Sequence, residues 1–410
     1  MSVQETRIAL RNAGRINPES IDDYISAGGY EALAIARKSD RDELISGIEN
    51  ASKLRGRGGA GFNTGFKWSG ARASQGDVKY VVCNGDEGEP GTFKDRVIIE
   101  NDPHTVVEGI LIACYAIEAS EAIIYVRGEY QHQIALLRNA IKQAEERGLT
   151  DGVHVRVYTG AGSYVCGEET ALLNSVEGLR AEPRLKPPFP TVKGAFGKPT
   201  VVNNVETFAT VPAIVKNGPE WFAGIGSPAY PGTKIFSVSG DVQKPGCYEM
   251  ATDATLSDIV VGLAGGAKDG HTIKAVQLGG SSCGYIKGDE INLSIAFDSL
   301  RSSGKSLGSG AVLVLDESRD MVVQVQQILH FFAHESCGKC TPCREGLYQA
   351  CRIIDRFAEN EASQADLDML LSLSEMMAND CFCPLGQGAL TAFRSAYELF
   401  PEEFETRMVK

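Results

Sequence analysis

At 410 residues, with 43% hydrophobic and 23% charged residues, the chain has the composition of a folded, soluble protein and length for roughly two to four cores. A net charge of -13 excludes nucleic acid and anionic lipid as natural partners. No apolar run is long enough to span a membrane, and Met1 to Ile16 lacks the apolar centre of a secretory signal. Eleven cysteines, an odd number without framework spacing, indicate a reducing compartment, so the expected location is cytoplasmic, with any attachment to a membrane made through partners.

Residues 17 to 53 read as helices: Pro18, Ser20 and Asp22 open one that Gly28 and Gly29 close, and Asp40 and Asp42 flank the start of another running towards Leu54. Then comes Arg55-Gly56-Arg57-Gly58-Gly59-Ala60-Gly61-Phe62, whose Gly56, Gly58 and Gly61 satisfy G-x-G-x-x-G. That fingerprint identifies a dinucleotide fold only directly after a strand and before a helix. Here the preceding segment reads as helix and the apolar strand Val78 to Val82 comes later, so the standard Rossmann reading fails. What remains is a loop whose bare N–H groups can cradle a phosphate or approach a flat ring, with Arg57 and Lys67 as nearby cations. A plain glycine turn is the competing reading.

The strand Lys79 to Cys83 runs into Asn84-Gly85-Asp86-Glu87-Gly88-Glu89-Pro90-Gly91. A strand ending in a carboxylate- and glycine-rich loop is where an open α/β sheet places its ligand, and the carboxylates suit hydroxyl or ring N–H donors; a solvated acidic turn is the alternative. Helices at 102–116 and 134–147 alternate with strands at 122–126 and 153–158, which predicts a parallel α/β sheet. The third strand ends in a glycine-rich turn carrying Tyr164, with a helix opening near Gly167 and Glu168 and Glu169 in its first turn. From Arg184 to Thr207 a long loop is expected, holding Lys186-Pro187-Pro188-Phe189-Pro190 and Val202-Asn203-Asn204. The asparagines read equally as turn formers and as amides facing a ligand's carbonyls.

Gly218 to Gly232 reads as a linker. Strands at 235–240, 275–278 and 311–315, a turn at Lys244-Pro245-Gly246 and a capped helix at 255–264 form a small α+β module of the β-grasp kind, expected to act as spacer or docking element. The remainder is helical, in amphipathic segments 320–334, 344–358, 364–378 and 387–398.

Between the first two of those helices lies Glu335-Ser-Cys-Gly-Lys-Cys-Thr-Pro-Cys-Arg-Glu-Gly346. Three thiols at a repeat of three, Cys337, Cys340 and Cys343, suit the corner irons of a cubane, which takes four cysteines. Structural zinc prefers separated pairs, and disulfides lack the compartment for them. Cys383, followed by Pro384-Leu385-Gly386, is the best-placed fourth ligand, with Cys351 and Cys381 open on chemistry alone. A four-helix bundle would bring these thiols together.

Taken together, Arg55–Trp68, Asn84–Arg96, Gly160–Glu169, Lys186–Pro190, Asn203–Thr207 and the cysteine motifs resemble the NADH-binding flavoprotein subunit of respiratory complex I and the related diaphorase subunits of NAD-linked hydrogenases and formate dehydrogenases. The resemblance implies an α/β fold in three parts. These are a Rossmann-like FMN- and NADH-binding domain with N-terminal helices (1–230), a β-grasp domain (231–318) and a helical bundle with a [4Fe–4S] cluster (319–410). It further implies that Gly58, Lys67, Asn84, Asp86, Glu87, Gly167, Asn203, Asn204 and Thr207 hold FMN, with Arg57, Gly59, Glu168, Val202 and Leu385 also among the cofactor-binding residues. Phe62, Glu89, Tyr164, Glu169 and Phe189 would face the nicotinamide nucleotide, with Glu89 and Glu169 orienting it for hydride transfer. Cluster ligation falls to Cys337, Cys340, Cys343 and Cys383, and the implied partners are a thioredoxin-like [2Fe–2S] subunit and a larger iron–sulfur or catalytic subunit. Gly70 departs from the family by standing where many members have an aromatic. Asn63 and Gly85 depart more mildly, and the chain resembles a minimal form without thioredoxin-like or ferredoxin-like extensions. The implied activity is that of an NADH:acceptor oxidoreductase; the rivals are a hydrogenase or formate dehydrogenase diaphorase and, remotely, a non-enzymatic iron–sulfur adaptor.

Overall fold

Four parallel strands form the sheet that the rest of the amino-terminal half covers: β1 (Tyr80–Gly85), β2 (Glu121–Arg127), β3 (His154–Gly160) and β4 (Thr200–Asn204), in the order β3-β2-β1-β4. The computed structural model describes residues 3–409; Met1, Ser2 and Lys410, the outermost residues of the two terminal domains expected from sequence, lie outside the described residues. Alternate residues of the strands enter different cores: Val81, Ala122 and Ile124 pack with Val106, Ile110 and Phe208, whereas Val82, Ile123 and Tyr125 pack with Leu172 and Leu173. Both faces are buried, as a parallel sheet requires.

Helix Pro103–Ile117 is capped by Asp102, whose carboxylate accepts from Thr105 N at 3.0 Å. It is buried on nearly every side and crosses helix Val205–Asn217 closely enough that a methyl at Gly109 would strike the Phe208 carbonyl oxygen.

The alternation of strands and helices agrees with the sequence reading, but the Arg184–Thr207 loop does not. It contains the short helix Pro190–Lys193, strand β4 and the start of Val205–Asn217. Asn203 and Asn204 therefore end a strand, and Asn204 caps the next helix by accepting from Glu206 N at 3.0 Å. Five residues ending in two asparagines carry too little apolar pattern to announce a strand; pairing with β1 supplies the missing drive. Helix Lys94–Asn101 has no clear sequence signal either, and the linker region holds a short helix, Pro219–Ala223, and a two-stranded turn at Gly226–Ser227 and Tyr230–Pro231.

The second sheet is mixed. Its order is Tyr285–Lys287, Ile273–Leu278, Ala311–Asp316, Thr233–Gly240, Gly246–Ala251, with the central pair parallel and the others antiparallel. The expected helix at 255–264 is a π-helical turn, Asp258–Leu263. Helices Met321–Glu335, Thr341–Ala358, Gln364–Asp380 and Thr391–Leu399 follow, packed around Val325, Leu329, Leu347, Ile354, Leu370 and Phe393. Among the described residues no helix is long and apolar enough to cross a membrane.

The Gly109 crossing yields a stability test. Gly109→Ala should destabilise the chain by ~1–3 kcal/mol through overpacking, read as a lower midpoint in thermal unfolding, whereas Gly178→Ala, in open space, should show no clash penalty and only the strain of its positive φ.

Candidate functional site

In the strand order β3-β2-β1-β4 the direction of winding reverses between β1 and β4, and the crevice at their carboxyl ends is where open α/β sheets take ligands. A cleft of about 1260 Å³ opens there. Its floor is the glycine loop, held because Arg57 N donates to Thr207 Oγ1 at 2.9 Å and Gly56 N to the Phe62 carbonyl at 2.8 Å. A side chain at Gly58 would begin 3.1 Å from Asn204 Cβ, so only glycine leaves that space to a ligand.

Most of the residues expected at the site line this cleft: Gly58, Gly59, Phe62, Lys67, Asn84, Asp86, Glu87, Glu89, Tyr164, Gly167, Glu168, Glu169, Phe189, Val202, Asn203, Asn204 and Leu385. Two do not. The Arg57 guanidinium turns away beneath the loop, donating to the Pro231 carbonyl at 2.8 Å and lying 4.5 Å from the Tyr230 ring centre, and Thr207 serves the loop backbone. An arginine in a glycine loop is indistinguishable by sequence from one that faces a phosphate; the packing of Tyr230 decides.

The acidic loop is organised residue by residue. Glu89 is held from two domains: Tyr164 Oη donates to it at 2.6 Å, and Ser282 N, from the mixed-sheet module, at 3.0 Å. Burial pushes its carboxyl above the ordinary range despite those donors. Glu169 behaves oppositely. Against the upward push of burial, Lys67 and Lys186, each 2.9 Å away, hold it below the ordinary range. Glu168 caps helix Glu169–Val176, accepting from Thr170 N at 2.8 Å and Ala171 N at 2.9 Å. Glu87 accepts from Asp95 N (2.8 Å) and Arg96 N (3.0 Å) at the start of helix Lys94–Asn101, so it supports the loop from below.

Asp86 has no such support. Its Oδ2 is buried without a partner, 3.6 Å from where a Gly167 side chain would begin, and burial pushes its carboxyl up to about 8. A buried acceptor facing a glycine is what a ligand with its own donors would satisfy. With the glycine cradle, Lys67 and the amides of Asn84, Asn203 and Asn204, these residues fit FMN. At the cleft mouth Phe62, Phe66 and Phe189 are about half exposed, an uncommon display of aromatic surface suited to a flat base.

Sequence reasoning overlooked several groups that line the cleft. Lys94 and Asp95 form a buried pair at 2.6 Å beneath Asn204, whose signal was a charged pair inside an otherwise glycine-rich motif. Ser282 had no signal, because the mixed-sheet module reads as a spacer. The structure corrects that reading: residues 278–284 and 304–309 of the module form a wall of the cleft.

The thiols gather in the core of the carboxyl-terminal helices. Cys337, Cys340 and Cys343 lie on the loop and first turn before Thr341–Ala358, which Arg180 and Lys339 tie to the α/β domain through the Cys337 and Pro183 carbonyls at 2.7 and 2.6 Å. Cys343, Cys381 and Cys383 are buried in one core with Cys337 and Cys340 packed against it, and a side chain at Gly386 would begin 2.7 Å from Cys381 Sγ and 3.2 Å from Cys343 Cβ. Cys351 lies two turns further along the helix, buried in the bundle core. A set of thiols with no competing carboxylate or imidazole suits an iron–sulfur cubane. Pro384 and Leu385, next to Cys383, line the cleft itself.

Comparison with known proteins agrees with this division. Residues 50–213 match the family model of the Nuo51 FMN-binding domain, 235–286 the SLBB domain and 323–407 the NADH-ubiquinone oxidoreductase-F iron-sulfur binding region. The chain is 46% identical over 405 residues to the NADH-quinone oxidoreductase F 2 subunit of Rhizobium meliloti (strain 1021), covering 97% of this chain and 96% of that one. It is 44% identical over 413 residues to the HndC subunit of the NADP-reducing hydrogenase of Solidesulfovibrio fructosivorans, covering 99% and 84%. Among solved structures, a chain of an NAD+-reducing [NiFe]-hydrogenase in the H2-reduced state superposes with a TM-score of 0.88 at 36% identity, covering 99% of this chain and 67% of that one.

The Asp86 environment predicts a pH signature. Because the folded chain retains on Asp86 a proton that the unfolded chain releases near pH 4, stability falls as pH rises from about 4 through about 8. Flavin-free Asp86→Asn should lack that contribution: its melting temperature should match wild type at about pH 4 and exceed it by ~2–4 °C at pH 8, as read by circular dichroism.

Proposed function

The chain belongs to the family of F-type, NADH-oxidising subunits of NADH-quinone oxidoreductase, and we infer that it serves as that subunit in a larger electron-transfer complex, carrying FMN and a [4Fe–4S] cluster. One observation carries this reading: Leu385, two residues from a cluster thiol, and Gly58, Asn203 and Asn204 of the flavin cradle line the same cleft, so flavin and cluster share a wall. FMN, when bound, supplies acceptance of an electron pair as hydride from NADH and its release one electron at a time to an iron–sulfur relay.

The residues of the chain bind, orient and exclude water. Backbone N–H groups of the glycine loop hold phosphate, Lys67 adds positive charge and Asn84, Asp86, Asn203 and Asn204 address the flavin's polar edge. Phe62 and Phe189 hold the nicotinamide nucleotide's base, while Glu89, fixed by Tyr164 and Ser282, and Glu169, fixed by two lysines, orient its amide and hydroxyls. No side chain is required to move a proton. Cys337, Cys340, Cys343 and Cys383 hold the cluster. The three-part layout, 1–230, 231–318 and 319–410, then assigns the flavin to the first domain, a β-grasp wall to the second and the cluster to a four-helix bundle. The mixed order of the second sheet supports the β-grasp description.

Partners are other iron–sulfur subunits, among which we propose a thioredoxin-like [2Fe–2S] protein. Eleven unpaired cysteines favour a reducing, cytoplasmic setting. Similarity to one hydrogenase component and to an NAD+-reducing hydrogenase structure favours a second parent complex equally, in which the same cleft runs in either direction. The subunits that co-purify with the native chain distinguish the two.

Adding NADH anaerobically to the purified chain should bleach its flavin absorption. Cys340→Ser should keep FMN and that bleaching, bind little iron and lose electron delivery to its partner by at least about 100-fold, since the relay's first carrier is gone. Full delivery by this variant overturns the route.

A further inference from the structure

The thiol group holds one sulfur more than a [4Fe–4S] cubane has irons to be ligated. Besides Cys337, Cys340, Cys343 and Cys383, Cys381 is buried in the same core, where Cys343, Cys381 and Cys383 pack together with Cys337 and Cys340 against them. A Cβ added at Gly386 would meet both Cys381 Sγ, at 2.7 Å, and Cys343 Cβ, at 3.2 Å, so a single glycine separates the two residues from the turn above them.

Backbone geometry explains the arrangement. Cys381 (φ -71, ψ 144) and Cys383 (φ -133, ψ 166) both have extended conformation. In extended chain, residues i and i+2 project to one face and the residue between to the other. Phe382 accordingly points away, partly exposed, with the Lys339 ammonium 5.4 Å from its ring centre. Two thiols spaced by about 6.6 Å of extended chain therefore face the Cys337–Cys343 loop side by side. The segment is anchored at both ends: Cys381 N donates to the Met377 carbonyl at 3.2 Å, and the Cys383 carbonyl accepts from Gln387 N at 3.2 Å.

We propose that Cys381 is a reserve ligand of the iron–sulfur cluster, able to take the fourth corner in place of Cys383. This rests on the cluster assignment made above. In the exchange, the bond between iron and the Cys383 sulfur is lost, Cys381 releases its thiol proton to solvent and its thiolate binds the vacated iron; no electrons change hands. The exchange needs only a rotation of the Cys381–Cys383 segment, because both thiols already lie on its inner face. Cys351, although buried, is carried about 12 Å beyond Cys343 by two turns of helix Thr341–Ala358.

The test uses the full chain purified anaerobically as wild type, Cys381→Ala, Cys383→Ala and the double variant, with iron and acid-labile sulfide counted per chain and the reduced form measured by electron paramagnetic resonance. FMN content reports folding independently. Wild type and both single variants should hold about four irons per chain. The resonance of Cys383→Ala should shift because its ligand geometry has changed, and the double variant should fall below about one iron while keeping FMN. Loss of iron from Cys383→Ala with FMN retained overturns the proposal, as does a double variant that keeps its cluster. Should Cys383→Ala fail to fold, Cys383→Ser with and without Cys381→Ala makes the same comparison. A wild-type chain without iron would instead overturn the cluster assignment itself.

Discussion

The cleft stands on two ammonium groups that water cannot reach. Lys94 contacts Asp95 at 2.6 Å, Glu206 at 3.0 Å and Asn204 at 3.1 Å, and Lys234 contacts the same Glu206 at 2.6 Å, with all the charged side chains nearly fully buried. An isolated buried charge is costly, and deleting one partner of such a pair typically costs about 3–5 kcal/mol. The network is therefore tolerable only when the helix Lys94–Asn101, the helix Val205–Asn217 and the strand Thr233–Gly240 meet in one geometry. Desolvation outweighs its neighbours at Lys234, which is held down to about 8. The same network ties the α/β domain to the mixed-sheet module, because Lys234 belongs to the module and Lys94 to the floor of the cleft.

Rigidity at the floor is transmitted to the ligand-facing residues through short connections. Asn204 receives from Lys94, donates to Asp95 at 2.7 Å and caps the following helix, so its position beneath Gly58 is fixed from three sides. Glu87 ties the acidic loop to the helix that carries Lys94 and Asp95, and Arg127 Nη1 donates to the Glu87 carbonyl at 2.6 Å. Above this frame the polar groups divide by environment. Glu169, paired with two lysines, is held as a carboxylate, whereas Asp86, buried without a partner, is pushed towards its neutral form.

The carboxyl-terminal helices meet the α/β domain through similarly directional contacts. Glu335, just before the cysteine motif, accepts from Tyr164 N at 2.9 Å, and the Tyr164 hydroxyl reaches Glu89 at 2.6 Å. Tyr164 also packs edge-on against Phe331 and Phe332, 5.4 and 5.8 Å away. One residue thus links the Glu89 carboxylate of the cleft to the helix that precedes the cysteine motif. An electron relay needs this fixed spacing between carriers more than it needs any acid or base.

Local pattern by itself determined the alternating strands and helices of the first domain and the helical carboxyl-terminal region, because two-residue and helical periodicities are properties of neighbours in the chain. The glycine loop was legible as a ligand cradle, and its rejection as a Rossmann fingerprint holds, since helix Arg41–Ser46 precedes it and β1 follows. Tertiary structure alone decided what depends on residues far apart: that Thr200–Asn204 is a strand, that Arg57 turns under the loop to Tyr230, and that Ser282 closes a cleft begun 193 positions earlier at Glu89. In each case the energy lies in burial and pairing with distant partners, which no local window of the sequence contains.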